Sequence, residues 1–136
     1  MSGDLFELKM EVRDYECDLQ GIVNNAVYQH YLEHARHRFI RRYGLDFARW
    51  HREGLDAVAT RIEMDFRRSL QPGDAFVVQV AVRREGRLRV VFEQHILREP
   101  DRVPVLDAQV FVVFLRNGRP VPPDDFFRVL EQGGDR

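Results

Sequence analysis

Residues 15–43, YECDLQGIVNNAVYQHYLEHARHRFIRRY, decide the fold. Within them Tyr28, Tyr31, Leu32, Ala35, Phe39, Ile40 and Tyr43 recur every three or four positions. That spacing gathers them into one apolar stripe along a helix. Asn24 and Asn25 stand at its start, where an asparagine side chain caps unpaired N–H groups. Gly44 follows its end, where a left-handed cap is expected. Taken from Asn25 to Tyr43, the predicted helix is about 28 Å long at 1.5 Å per residue.

Upstream, Phe6, Leu8, Met10 and Val12 alternate with polar neighbours, the pattern of a half-buried strand. Downstream, Phe47 to Gly54 is less regular and is read as a short helical turn. From Asp56 to Leu115 the chain reads as four strands. Val58, Ile62, Met64 and Phe66 alternate, then Phe76, Val78, Val80 and Val82, then Leu88, Val90, Phe92 and Ile96. Gln71-Pro72-Gly73-Asp74 and Arg84-Glu85-Gly86-Arg87 are read as hairpin turns between them. Leu106 to Leu115 is almost continuously apolar, which places it in the middle of the sheet. Asn117-Gly118-Arg119-Pro120 ends that strand, and a proline-led short helix is read in 120–130, PVPPDDFFRVL. Strand, long helix, then antiparallel strands is an α+β order, with the helix laid on one face of the sheet. Exposed edges of so small a sheet are commonly covered by dimerisation.

The chain has 136 residues, enough for one core, and is read as a single domain spanning 1–136. Its 44% hydrophobic and 32% charged residues describe a packed globule. A net charge of −1 supplies no excess of positive charge for nonspecific nucleic-acid binding. Lys9 is the sole lysine among 21 basic residues, so the cations are forked guanidinium groups. Cys17 is the only cysteine, which excludes an internal disulfide and a cysteine pair for zinc. No apolar run reaches the roughly 18 residues of a membrane span, and the charged opening MSGDLFELKM is unlike a signal peptide. A cytoplasmic setting is the expectation.

Asp18 sits in a short glycine-containing loop that runs into the helix start. A helix N-terminus offers unpaired N–H groups and a partial positive charge, which stabilise an oxyanion. A carboxylate facing the same point completes a minimal kit for hydrolysing an activated acyl group. On residue chemistry alone, such an aspartate is ordinarily a cap or a loop residue. His30, His34 and His37 have a spacing that can hold a metal, yet they fall opposite the apolar stripe and are read as a solvated or interface face. Cys17 has no neighbouring base and is read as structural. Glu33 is read as a surface charge paired with Arg36, the alternative being a second carboxylate in the pocket. Tyr28 and Tyr31 are read as packing residues, with Tyr28 also a candidate for lining an acyl pocket. His95 and Glu93 are read as a surface pair on one strand face.

The string from Asp18 to Arg36 resembles the signature of hotdog-fold acyl-CoA thioesterases of the 4-hydroxybenzoyl-CoA thioesterase-like group. The matching positions are Asp18, Gly21, Ile22–Val23, Asn24–Asn25, Tyr28, Tyr31 and Glu33-His34-Ala35-Arg36. Leu70-Gln71-Pro72-Gly73-Asp74 and the stretch 112–120, VVFLRNGRP, recur as weaker family features. The resemblance implies a long central helix wrapped by a curved antiparallel sheet, assembled as a homodimer or homotetramer. It implies that Asp18 is the catalytic carboxylate and that the backbone N–H of Asn25 polarises the thioester carbonyl. Gly21, Val23 and Tyr28 would line the substrate, with Gly21 allowing close backbone approach. Arg87 and Arg89, with Arg84 as the alternative, stand where some relatives place basic residues on coenzyme A phosphates. No cofactor is implied, because coenzyme A is part of the acyl-CoA substrate. Many relatives carry histidine where Ile22 or Asn25 stands here, so Asp18 is left as the only acid or base of the loop.

Two other functions are weighed against thioester hydrolysis. A hydratase or dehydratase of acyl thioesters generally requires a histidine with an acidic partner, which this loop lacks. A noncatalytic acyl-CoA-binding module would bind coenzyme A without turnover, and sensors of that kind usually add a DNA-binding segment, for which 136 residues leave no room.

Overall fold

The structure is a computed structural model and describes residues 5–133. Strand β1 spans Phe6–Glu11 and helix α1 spans Asn25–Arg41, with a 3-10 turn at Asp14–Glu16 between them. Helix α2 (Phe47–Arg52) leads into β2 (Leu55–Phe66), β3 (Ala75–Glu85), β4 (Arg89–Arg98) and β5 (Val103–Arg116). A short β6 (Arg119–Val121) and helix α3 (Asp124–Glu131) complete the order. The α+β expectation holds, and so do the predicted helix start and the strands. The long helix stops two residues earlier than its stripe, because Gly44 takes φ +76° and its N–H bonds back to Arg41.

The strands form one antiparallel sheet in the order β1-β3-β4-β5-β2, with β6 on β5. This corrects the reading of Gln71–Asp74 as a hairpin. β2 pairs with β5, and β3 pairs with β1 and β4. After Phe66 the chain therefore crosses the end of the sheet before it turns. The turn closes against β1: the Gly73 N–H donates to Val12 O at 3.0 Å and the Val12 N–H donates to Asp74 O at 2.9 Å. Local turn chemistry was legible, but which strand receives the chain is set by long-range pairing. Arg84–Arg87 does form a hairpin, with Glu85 opposite Arg89 and Gly86 at φ +64°. β5 is an inner strand, as its apolar run predicts.

Alternation along β3, β4 and β5 sends Phe76, Val78, Val80, Phe92, Ile96, Leu106, Val110 and Val112 to one face, where α1 covers them. The helix meets that face through aromatic contacts, Tyr31 with Phe76 at 4.7 Å near its start and Phe39 with Phe92 at 6.3 Å near its end. Full burial of such a side chain stabilises by about 1.5–3 kcal/mol, so the stripe anchors the helix at both ends. Gln94 is the buried polar residue of this face. Its amide donates to Leu32 O at 3.0 Å and accepts from Arg36 Nη1 at 3.0 Å. Arg36 therefore turns inward, and the expected Glu33–Arg36 pair does not form. At the far end Trp50, Phe114 and Phe126 pack edge to face and hold α2 and α3. Among the described residues no helix is long and apolar enough to cross a membrane.

Candidate active site

The loop 17–24 is folded back on itself before α1 begins. The Asp18 N–H donates to Ile22 O at 2.9 Å, and the Gly21 N–H donates to Asp18 O at 3.0 Å. Cys17 and Val23 form an antiparallel bridge across its neck. The Asp18 carboxylate accepts the Gln20 N–H at 2.9 Å, an Asx turn of the kind aspartate favours. Gly21 adopts φ +77°, which disfavours any side chain. Nothing lies within 4 Å of a Cβ placed there. Within this chain its requirement is thus a backbone conformation and not a close approach.

Asn24 caps α1. Its side chain accepts the Ala26 N–H at 2.8 Å and its carbonyl accepts the Val27 N–H at 2.9 Å. Asn25 is the first helical residue, and among the described residues its N–H has no acceptor. Asn25 also borders a cleft of about 300 Å³, lined with it by Ile22, Val23, Tyr28, Phe66, Arg67, Arg68 and Ser69. The structure so brings Val23, Asn25 and Tyr28 together. Asp18 and Gly21 belong to the adjoining loop, with Asp18 bonded through its main chain to the cleft residue Ile22.

Two tyrosines of α1 frame the loop. The Tyr28 hydroxyl accepts the Leu70 N–H at 3.0 Å, and Leu70 O accepts the Val23 N–H at 2.9 Å. The Tyr31 hydroxyl donates to Glu16 Oε1 at 2.6 Å, while Glu16 O accepts the Asn24 N–H at 3.3 Å. Burial pushes both phenols above their ordinary range, Tyr31 further because it faces the Glu16 carboxylate. Burial and the nearby Asp14, Asp18 and Glu16 charges push the Cys17 thiol up, the opposite of what a nucleophile needs.

Arg87 and Arg89 lie elsewhere. Arg89 begins β4, whereas the other end of β4, Arg98, pairs with Phe76 beside Tyr31. Ten residues of strand separate the two ends by roughly 30 Å. Within one protomer neither arginine reaches the cleft. Arg89 is held by Glu85 at 3.0 Å and lies over the Phe111 ring, and Arg84 is held by Asp124. The cleft is lined instead by Arg67, whose Nε donates to Asp107 at 2.9 Å, and by Arg68, both of which sequence reasoning missed. Their signal was present as a basic pair one residue ahead of the Leu70–Asp74 turn, but only the crossover after β2 carries it to the helix start. Phe66, the last of the alternating apolar residues of β2, is 45% exposed at that cleft.

The remaining candidates separate. His37 is half-buried against Phe47 at 4.8 Å, and burial lowers its pKa, while His30 faces the groove between α1 and β2. Among the described residues no three histidine, cysteine or carboxylate side chains converge as metal ligands would. His95 pairs across strands with Asp107 at 2.6 Å and not with Glu93, which joins Arg83. Cross-strand neighbours lie closer than same-strand positions two apart, so pairing partners depend on register.

Comparison with known proteins agrees with this architecture. The family model of the thioesterase-like superfamily matches residues 12–130. An acyl-acyl carrier protein thioesterase of Arabidopsis thaliana (ATL3, chloroplastic) is 36% identical over 120 residues, 88% of this chain and 63% of the relative. The chain thus spans less than two thirds of that relative's length. A hypothetical protein from Aquifex aeolicus superposes with a TM-score of 0.85 at 28% identity, covering 92% of this chain and 98% of the other. The DHNA-CoA thioesterase of Staphylococcus aureus superposes with a TM-score of 0.84 at 19% identity, covering 94% and 89%, a likeness of fold. The sheet curled round one long helix is the hotdog fold. With the family model matched over residues 12–130, the chain belongs to the thioesterase-like superfamily.

Proposed function

We propose that this chain hydrolyses an acyl or aroyl thioester to the free acid and a thiol, with Asp18 as general base or nucleophile. The observation that carries the reading is the Asn25 N–H. The next two N–H groups of α1 are satisfied by Asn24, whereas among the described residues this one, on a residue that lines the cleft, has no acceptor. It binds the thioester oxygen, and the helix dipole strengthens that bond as negative charge develops. Asp18 removes a proton from water as it attacks, or attacks the carbonyl itself to form an anhydride that water then opens. Collapse expels the thiolate, a good leaving group, which takes up the proton. Coenzyme A enters as part of the substrate and no separate cofactor is invoked. The plant relatives support an acyl carrier protein as the alternative carrier. Thiol release measured for wild type and Asp18→Asn tests the reading. Loss of about 10²-fold or more in kcat is expected for a positioned acid or base, and unchanged turnover removes Asp18 from the mechanism.

The active assembly is proposed to be a homodimer joined along β2. Among the described residues that strand ends the sheet, so one row of its backbone groups has no partner strand. Its Val58, Ile62 and Phe66 are 39%, 41% and 45% exposed, an apolar edge of the kind that pairs with another chain. A second copy would bring its own arginines toward the cleft, which is the route left open to Arg87 and Arg89. Light scattering of wild type and Ile62→Lys checks this. A dimer that the lysine dissociates is expected, and a wild-type monomer overturns it.

A further inference from the structure

We infer that the Tyr28 hydroxyl is a second hydrogen-bond donor to the thioester oxygen, acting beside the Asn25 N–H. This rests on the thioesterase reading above and adds a catalytic group to it. Tyr28 is 2% exposed, yet it contributes to the lining of the same cleft as Asn25. It lies three residues further along α1, so both residues stand on one side of the first turn.

The hydrogen-bond inventory of this hydroxyl is half filled. A phenol donates one proton and accepts through its oxygen. The acceptor side is taken by the Leu70 N–H at 3.0 Å. Among the described residues no acceptor receives its proton. Tyr31, one turn away, provides the contrast: its proton is committed to Glu16 at 2.6 Å. A buried polar proton without an acceptor is costly unless something that binds there uses it. A thioester oxygen bound at Asn25 is such an acceptor.

The local chemistry suits donation and not proton transfer. Burial raises the Tyr28 pKa, so the phenol is neutral across the working range and has its proton to share. The Leu70 N–H, donated to the phenolic oxygen, polarises the O–H outward. The ring is fixed by edge contacts to Tyr31 at 6.1 Å and Phe66 at 5.6 Å, so the donor is held before substrate arrives. In the reaction the water oxygen bonds to the carbonyl carbon and the C=O π pair moves onto oxygen. That oxygen is held by Asn25 N–H and Tyr28 O–H, and the pair returns as the C–S bond breaks. Tyr28 keeps its proton throughout.

The test uses the full chain and a thioester that wild type turns over, compared with Tyr28→Phe and with 3,5-difluorotyrosine at position 28. Removing one oxyanion donor is expected to lower kcat by about 10²-fold while KM changes much less. Difluorotyrosine, a stronger donor of the same shape, should restore kcat to near the wild-type value below the pH at which it ionises. A merely structural tyrosine would instead shift thermal stability, leave kcat of the folded fraction in place, and make the two variants differ only in stability. Wild-type kcat in Tyr28→Phe, or equal losses in both variants, overturns the assignment and leaves the thioesterase reading standing. Absence of hydrolysis in wild type across benzoyl, phenylacetyl, short and long acyl thioesters overturns both.

Discussion

Tyr31 and Glu16 are joined by a 2.6 Å hydrogen bond that ties the second turn of α1 to the segment leading into the Asp18 loop. Glu16 is only 12% exposed at its side chain, and it also accepts the Arg13 N–H at 2.8 Å. One carboxylate thus holds the strand exit, the loop and the helix in one relation.

Tyr31→Phe removes a hydrogen bond to a charged group and should cost about 1.5–3 kcal/mol in urea unfolding. Burial of the phenol, with the Glu16 carboxylate facing it, also sets an alkaline limit. The folded-state pKa of Tyr31 is raised above its ordinary value of 10.0. Its stabilising contribution is therefore complete below about pH 10 and is lost as pH rises beyond that. Melting temperatures from pH 8 to 11 should fall more steeply for wild type than for Tyr31→Phe.

Gly21 tests whether loop conformation matters to turnover. With φ +77° and no atom within 4 Å of a Cβ, Gly21→Ala pays only for backbone strain, about 1–2 kcal/mol. Gly21→Asn should cost less, since asparagine tolerates this region. If the loop places Asp18, kcat should fall in the order glycine, asparagine, alanine, with the core signal in near-UV circular dichroism unchanged.

Gln94 and Arg36 form the polar tie between β4 and α1. Gln94→Leu keeps the volume but strands the Arg36 guanidinium, whose pKa burial already lowers, and should cost about 3 kcal/mol. Arg36→Met in the same chain removes the stranded charge. The double variant should be more stable than Gln94→Leu alone, a coupling that urea midpoints will read.

His95 beside Asp107, with Arg67 on the other oxygen, holds the Asp107 carboxyl below the usual range. A lowered folded pKa gives stability that is present above the unfolded value of 3.8 and lost as pH falls through the folded pKa. His95→Gln should raise the Asp107 pKa, read by carboxyl carbon NMR titration, and should reduce stability near pH 4 more than in Arg83→Gln. The pair is about a third or more exposed, so the effect is modest.

The amino-acid sequence determined the local elements of this protein. Spacing of aromatic residues built α1, Asn24 capped it, Gly21 and Gly44 bent the chain, and alternation set which face of each strand is buried. Those features depend on neighbours within a few residues. Tertiary structure alone decided that β2 lies beside β5, that Arg36 turns to Gln94, that His95 meets Asp107, and that Arg67 and Arg68 reach the helix start. Each depends on which distant strand supplies a backbone partner. Pairing energy is gained only when the whole sheet and its covered face assemble together, and no short window of sequence contains that information.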